Sequence, residues 1–356
     1  MGELVTLFVG PNNIGKTILS RAIYAFGKSI IDGRIDGEIF ACCLLDNFYS
    51  SVSDLRSIVL HGKKSFSIEY HINDVCLRVE FDGKELHVPQ NVLKRLKMFY
   101  VPSFRVASYF LKQNLLSIVK LISDVSSGIL EKGKLHDYRK IVGDLLEFQK
   151  LFRILRQETP KAMLMNISSL WYSVTILDVL IPILRLALID EQPELSFKDF
   201  IRTSLKYDAR YDKMYLEDTV IPLSLTSAGM LEVVPMLLTL DYAYRVSRSL
   251  GVETVIFIDE PEAHLELLTQ ISLIWKTLDF LMEQHNRDIE MRLIISTHSD
   301  VAAYAFIKWF VRHERTDLLK IYDFSDGAPV MREIDKTGET FIKNIDKALR
   351  KLFWES

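Results

Sequence analysis

The first residues with a chemical spacing stand near the start of the chain, where Gly10-Pro11-Asn12-Asn13-Ile14-Gly15-Lys16-Thr17 fits the pattern GxxxxGK[ST]. Glycines at both ends let the backbone turn its N–H groups inward. Lys16 adds a mobile cation, and the Thr17 hydroxyl is a hard oxygen ligand suited to Mg2+. Such a loop cradles phosphates only if a strand leads into it and a helix leads out, because the free N–H groups of the first helical turn complete the anion site. Both flanks fit. Leu4 to Val9 is a short, largely apolar run, and Ile18, Leu19, Ala22, Ile23 and Phe26 recur at helical spacing over residues 16–30.

A second group lies far down the chain. Asp259 and Glu260 directly follow Val255 to Ile258, a β-branched and aromatic run of the kind that fills the centre of a parallel sheet. Adjacent carboxylates need different roles. Asp259 would orient Mg2+ or its water, and Glu260 would position or deprotonate a water attacking a γ-phosphate. His298, in Ser296-Thr297-His298-Ser299, follows the next apolar strand signal, Leu293 to Ser296. It is therefore expected at the C-terminal edge of the same sheet, where open α/β folds bind ligands. Glu260 and His298 are the candidate catalytic residues, and Thr17 with Asp259 the candidate metal ligands.

The elements that must position these residues come from both ends of the chain. Phe66 to Ile72 and Val75 to Phe81 alternate across Asn73-Asp74 and lead through Asp82-Gly83 to Glu85–Val88, an antiparallel meander. Phe99 to Pro102 reads as a further short strand. From Val106 to about Phe200 the periodicity is helical, which suggests an inserted lobe. Strand signals return over Lys206 to Leu223, and helices are expected over Leu231 to Leu250 and Leu265 to His285. The end carries a hairpin pattern, Leu319 to Phe324 with Pro329 to Ile334, then a basic amphipathic helix from Phe341 to Phe353. One discontinuous α/β unit is the economical architecture: residues 1–105 and 201–356 together, with residues 106–200 as the lobe.

Taken in order, the loop at Gly10 to Thr17, the segment Leu225-Thr226-Ser227-Ala228-Gly229-Met230, the string Asp259-Glu260-Pro261-Glu262-Ala263-His264-Leu265 and Ser296-Thr297-His298-Ser299 resemble the Walker A, signature, Walker B plus D-loop, and switch-histidine motifs of ABC-superfamily ATPases. The wording is most similar to the non-transporter branch of SMC, RecF and the overcoming-lysogenization-defect (OLD) ATPases. The resemblance implies an α/β P-loop NTPase head of the ABC type, with an antiparallel β subdomain and a helical lobe. It also implies ATP and Mg2+, and a homodimer in which Ser227, Ala228 and Gly229 of one chain meet the γ-phosphate held by Lys16 of the other. Three features depart from the family pattern. The strand before the phosphate loop begins almost at Met1, and no Q-loop glutamine is evident. In its place stands Tyr100-Val101-Pro102-Ser103-Phe104-Arg105, with Arg105 as candidate phosphate sensor or lobe anchor. The 58 residues after His298 are too few for a Toprim nuclease domain.

Composition bounds what such a unit acts on. The 356 residues are 49% hydrophobic and 26% charged with a formal net charge of −3, as expected of an ordered protein that is not basic as a whole. Any basic surface must be local. Between Lys94 and Arg156 there are 13 Lys and Arg against 5 Asp and Glu, a stretch suited to DNA phosphates or to a solvated helix face. Ile167 to Ile189 is apolar at 16 of 23 positions, but Asp178 and Arg185 in mid-span argue for a buried or partner-facing helix over a membrane segment. A separate protein effector docking on the lobe is thus an equal alternative to DNA. Cys42, Cys43 and Cys76 make neither a disulfide framework nor a CxxC pair, so a reducing, cytoplasmic setting is expected.

Overall fold

A computed structural model of the chain describes residues 3–11, 15–31, 34–37, 40–41, 64–72, 75–89, 96–103, 178–179, 181–183, 205–208, 213–216, 219–222, 227–324, 329–332 and 334. The elements in chain order are β1 (Val5–Val9), α1 (Lys16–Lys28), β2 (Ile30–Ile31), β3 (Arg34–Ile35), β4 (Phe66–Ile72), β5 (Val75–Phe81), β6 (Leu86–His87), β7 (Leu96–Val101), β8 (Leu205–Asp208), β9 (Lys213–Leu216) and β10 (Thr219–Pro222). They continue as α2 (Ala228–Leu250), β11 (Glu253–Asp259), α3 (Leu267–His285), β12 (Met291–Thr297), α4 (Asp300–Arg312), β13 (Leu319–Asp323) and β14 (Val330–Arg332). The larger sheet has the order β14-β13-β1-β12-β11-β7, parallel throughout except for the β13–β14 pair.

The sheet is covered on both faces, which is why its strands read as unbroken apolar runs. Side chains alternate along each strand. On one face Phe99, Val101, Ile256, Ile258, Leu293 and Ile295 pack with α2, α3 and α4. On the other, Met98, Tyr100, Val255 and Phe257 pack with Tyr24, Ala25 and Phe26 of α1. Leu77 and Val79 of the β4-β5-β6 meander join this second cluster, so the antiparallel subdomain is seated over α1. The strands β8, β9 and β10 form a separate antiparallel sheet.

The expected meander strands Phe66–Ile72 and Val75–Phe81 form with those bounds. Helix α2 begins three residues earlier than apolar periodicity suggests, because Ser227 caps it: its Oγ accepts from the Met230 N–H at 3.4 Å. Helix α4 and the β2–β3 hairpin have no counterpart among the elements read from the sequence. Residues 178–179 and 181–183 are helical and lie within the span expected to be lobe. Val179 and Ile183 are nonetheless fully buried in the core beneath α2. For these residues the apolarity of the 167–189 stretch is met inside the molecule. The rest of 106–200 and the expected helix over 341–353 lie outside the described residues. No described helix is long and apolar enough to cross a membrane.

Candidate functional site

Parallel pairing brings together residues far apart in the chain. Val9 is opposite Thr297 across β1 and β12, and Asp259 is opposite Ser296 across β11 and β12. The chain therefore leaves three neighbouring strands at one edge, carrying Gly10, Glu260 and His298 with it.

The phosphate loop re-enters the fold through Gly15, which caps α1 with φ +98°, a left-handed conformation that side-chain-bearing residues rarely adopt. Helix α1 then starts with no side-chain cap and no acidic residue in its first turn, so its N–H groups and partial positive charge remain available to an anion. Lys16 is 7% exposed, and its Nζ donates to the carbonyls of Gly10 and Pro11 at 2.6 Å each. Burial pushes its pKa down, against the opposing pull of Glu260, Asp259 and Glu262. Thr17 follows, half-buried. Asn12, Asn13 and Ile14 lie outside the described residues.

At the other end of the site three carboxylates occupy four residues in three environments. Asp259 is buried, with Oδ1 accepting from the Ser296 hydroxyl and Oδ2 from the Tyr100 hydroxyl at 2.5 Å. Burial pushes its pKa up, while those two hydrogen bonds and Arg21 pull the other way. Glu260 has φ +49°, which for a residue with a Cβ costs about 1–2 kcal/mol. Its N–H still donates to the Ser296 carbonyl at 2.8 Å, one step beyond the end of the strand. The turn sends its side chain out to His298, whose Nδ1 lies 3.1 Å from Glu260 Oε1, with both side chains partly exposed. Glu262 is 5% exposed: Oε1 accepts from Thr297 Oγ1, and Oε2 is buried with no hydrogen-bond partner. Burial pushes its pKa up as well.

Ser227 and Ala228 are exposed at the start of α2, and Gly229 is buried there. A Cβ at Gly229 would fall 2.7 Å from the His264 carbonyl oxygen and 2.9 Å from Leu265 Cδ2. The segment that follows Glu260 is thus the floor on which α2 starts, and His264 itself sits at φ +60°. Arg105 lies outside the described residues, as does most of the basic 94–156 stretch.

The donor set fits Mg2+ in one respect. Thr17 and Asp259 are hard oxygen donors, the ligand type that Mg2+ takes. Among the described residues no cluster of three or more His, Cys, Asp or Glu could hold a metal unaided. Mg2+ commonly takes one or two protein oxygens and completes its shell with phosphate and water, so this sparse set is the kind it uses.

Tyr100, Ser296 and Glu262 were not singled out by spacing. A phenol in the middle of a strand buried on both faces was the available signal for Tyr100, since a buried hydroxyl requires a partner. For Ser296 and Glu262 only the register of β11 against β12 shows which carboxylate each strand end meets.

No protein-family model matches the chain, and no curated protein matches it. Among solved structures, it aligns over 97% of its length with 93% of a Pyrococcus furiosus Smc head domain bound to the C-terminal domain of ScpA, at 13% identity and a TM-score of 0.39. A second Smc head, bound to the winged-helix domain of ScpA, covers 95% of this chain and is itself 92% covered, at 13% identity and TM-score 0.44. The recombination mediator protein RecF with ATP covers 93% of this chain and is 94% covered, at 14% identity and TM-score 0.40. With every one of these TM-scores below 0.5, the likenesses carry no function over to this chain.

Proposed function

We propose that this chain binds and hydrolyses ATP as the head of an ABC-type ATPase, assembled from residues 1–105 and 201–356, and that ATP-driven pairing of two heads is coupled to DNA transactions such as repair or anti-phage defence through a separate effector. The observation that carries this is the environment of Lys16. A buried ammonium stands at the uncapped N-terminus of α1, within electrostatic reach of Asp259, Glu260 and Glu262 across the strand edge. A cation and helix terminus facing carboxylates suits a polyphosphate on one side and a metal or water on the other.

In this scheme the α1 N–H groups and Lys16 bind the phosphates, and Thr17 and Asp259 would hold Mg2+, whose charge would offset that of the phosphates when bound. Glu260 orients the attacking water and accepts its proton, and the His298 imidazole fixes the direction of that carboxylate. Ser227 and the Gly229 backbone of a second chain close the site over the γ-phosphate. Support for pairing comes from the ends of two helices that begin just beyond the site. Leu267 and Leu268 at the start of α3 are 50% and 63% exposed, and Val301 and Tyr304 at the start of α4 are also exposed.

The test is ATP turnover by the purified chain with and without linear double-stranded DNA across a salt series, with Glu260→Gln as the inactive blank. Turnover that DNA stimulates at low salt and less at high salt supports a DNA-coupled motor. Turnover indifferent to DNA moves the assignment to an ATP-dependent switch acting on a protein partner. Absence of turnover in the wild type refutes the ATPase.

A further inference from the structure

One chain of buried polar contacts extends from the strand edge into the body of the protein. The Tyr100 hydroxyl donates to Asp259 Oδ2 at 2.5 Å. The backbone N–H of the same Tyr100 donates to Asp178 Oδ2 at 2.9 Å. That carboxylate oxygen also accepts from the Tyr24 hydroxyl at 2.7 Å, and Asp178 Oδ1 is paired with the Lys28 ammonium. Tyr24 and Lys28 both belong to α1, the helix that starts at the phosphate loop. Asp178 therefore joins the far end of α1 to the strand that reaches Asp259, while lying in a segment that belongs to neither.

Three of these side chains are sealed from water: Tyr24 and Tyr100 are fully buried, and Asp178 is 2% exposed. Burial pushes the Tyr100 phenol well above its ordinary pKa, so it is a neutral donor in this contact. Its ring is stacked on Phe257 at 5.8 Å and meets Tyr24 edge-on at 5.2 Å, so packing holds the phenol oxygen in place beside Asp259. A carboxylate held by one hydroxyl on each oxygen has its plane fixed, and metal affinity depends on such outer contacts.

We propose that Tyr100 is a positioning residue for Asp259, and that Asp178, by fixing the Tyr100 backbone together with Tyr24 and Lys28, ties the set of the Asp259 carboxylate to the seating of the 178–183 segment. This rests on Asp259 as a metal ligand at a nucleotide site. A displacement of that segment would free the Tyr100 N–H, together with Tyr24 and Lys28, and slacken Asp259.

The experiment is a Mn2+ titration of the full chain in the presence of ATPγS, followed by electron paramagnetic resonance, alongside fluorescence titration of a labelled nucleotide without metal. Tyr100→Phe keeps both ring contacts and removes only the hydroxyl. Its Mn2+ affinity should fall roughly 10-fold or more, in the range found for other outer contacts of metal ligands, with metal-free nucleotide affinity unchanged. A purely structural role would move the thermal midpoint and leave Mn2+ affinity alone. The double variant Lys28→Met/Asp178→Asn removes the buried pair without stranding one charge, and should weaken Mn2+ several-fold in the same direction. Wild-type Mn2+ affinity in Tyr100→Phe overturns the positioning role, and wild-type affinity in the double variant overturns the tie to the 178–183 segment. Should Tyr100→Phe fail to fold, the double variant, which reaches Asp259 only through Tyr100, tests both claims: weakened Mn2+ binding at unchanged metal-free nucleotide affinity supports them, and wild-type affinity overturns both. A wild-type chain that takes up no Mn2+ with ATPγS overturns the nucleotide site and this inference with it.

Discussion

Gly229→Ala tests whether the start of α2 and the loop after Glu260 form one unit. The added Cβ would lie 2.7 Å from the His264 carbonyl oxygen, inside the 3.0 Å that real Cβ atoms keep. The obstacle is backbone, and it belongs to a residue at φ +60° that has little freedom to yield. Overpacking a tight site costs typically about 1–3 kcal/mol, and a rigid neighbour argues for the upper part of that range. Alanine returns up to about 1 kcal/mol of helix propensity. The net is a loss of about 1–2 kcal/mol, or roughly a 5- to 30-fold smaller folded-to-unfolded ratio. Urea unfolding measures it, and sizing with ATP in a Glu260→Gln background reads whether pairing of two chains is lost along with it. A Gly229→Ala chain that unfolds at higher urea than wild type, and still pairs, would show that the helix gain outweighs the clash and refute the close packing of α2 on this loop.

The other substitutions separate the parts of the site. Lys16→Ala should abolish nucleotide binding measured by fluorescence titration, and retained hydrolysis would remove the phosphate-loop assignment. Ser227→Arg places a large cation on an exposed cap and should block ATP-dependent pairing while nucleotide affinity stays intact; an unaffected dimer on sizing would sink its role across the interface. Glu262 has its pKa raised by burial, so its contribution to stability is present below the ordinary carboxylate range and is lost as pH rises through the raised value. Glu262→Gln keeps an acceptor for Thr297 without the charge, and its thermal midpoint should gain on wild type as pH rises above the ordinary carboxylate range. A difference that stays constant with pH would contradict the buried-charge account.

Strands buried on both faces were legible because their whole length is apolar, as in Val255 to Ile258 and Leu293 to Ser296, and the meander was legible because Val79 and Phe81 alternate with exposed Arg78 and half-buried Glu80. Helix α4 was missed although its period was present: Asp300, Tyr304, Lys308 and Arg312 stand four apart on the exposed face, opposite buried Ala302, Ala303, Phe306, Ile307, Trp309 and Phe310. The loop and the two strand-end motifs were legible as residue types at fixed spacing. Their partners were not: that Ser296 serves Asp259 and Thr297 serves Glu262 follows from β11 and β12 standing side by side in one register. Asp178 shows the limit most plainly. In sequence it interrupts an apolar stretch as an apparent defect, while in the fold it is the acceptor for two tyrosines and a lysine drawn from α1 and β7.

The three carboxylates after β11 show how burial assigns roles that residue type cannot. Asp259 ends the strand with both oxygens engaged by hydroxyls, so it can hold a cation in a fixed direction but cannot swing to follow a water. Glu262 is buried on Thr297 with one oxygen unmatched, and a carboxyl there is costly to ionise. Only Glu260 has left the sheet. Its left-handed backbone lifts the side chain off the edge to a partly exposed position beside His298, where a carboxylate can meet a water and pass on a proton. The strain at Glu260 therefore follows from what its carboxylate has to reach. A residue kept in extended conformation at position 260 would continue the strand and point its carboxylate into one of the two packed faces, where it could neither reach water nor be solvated.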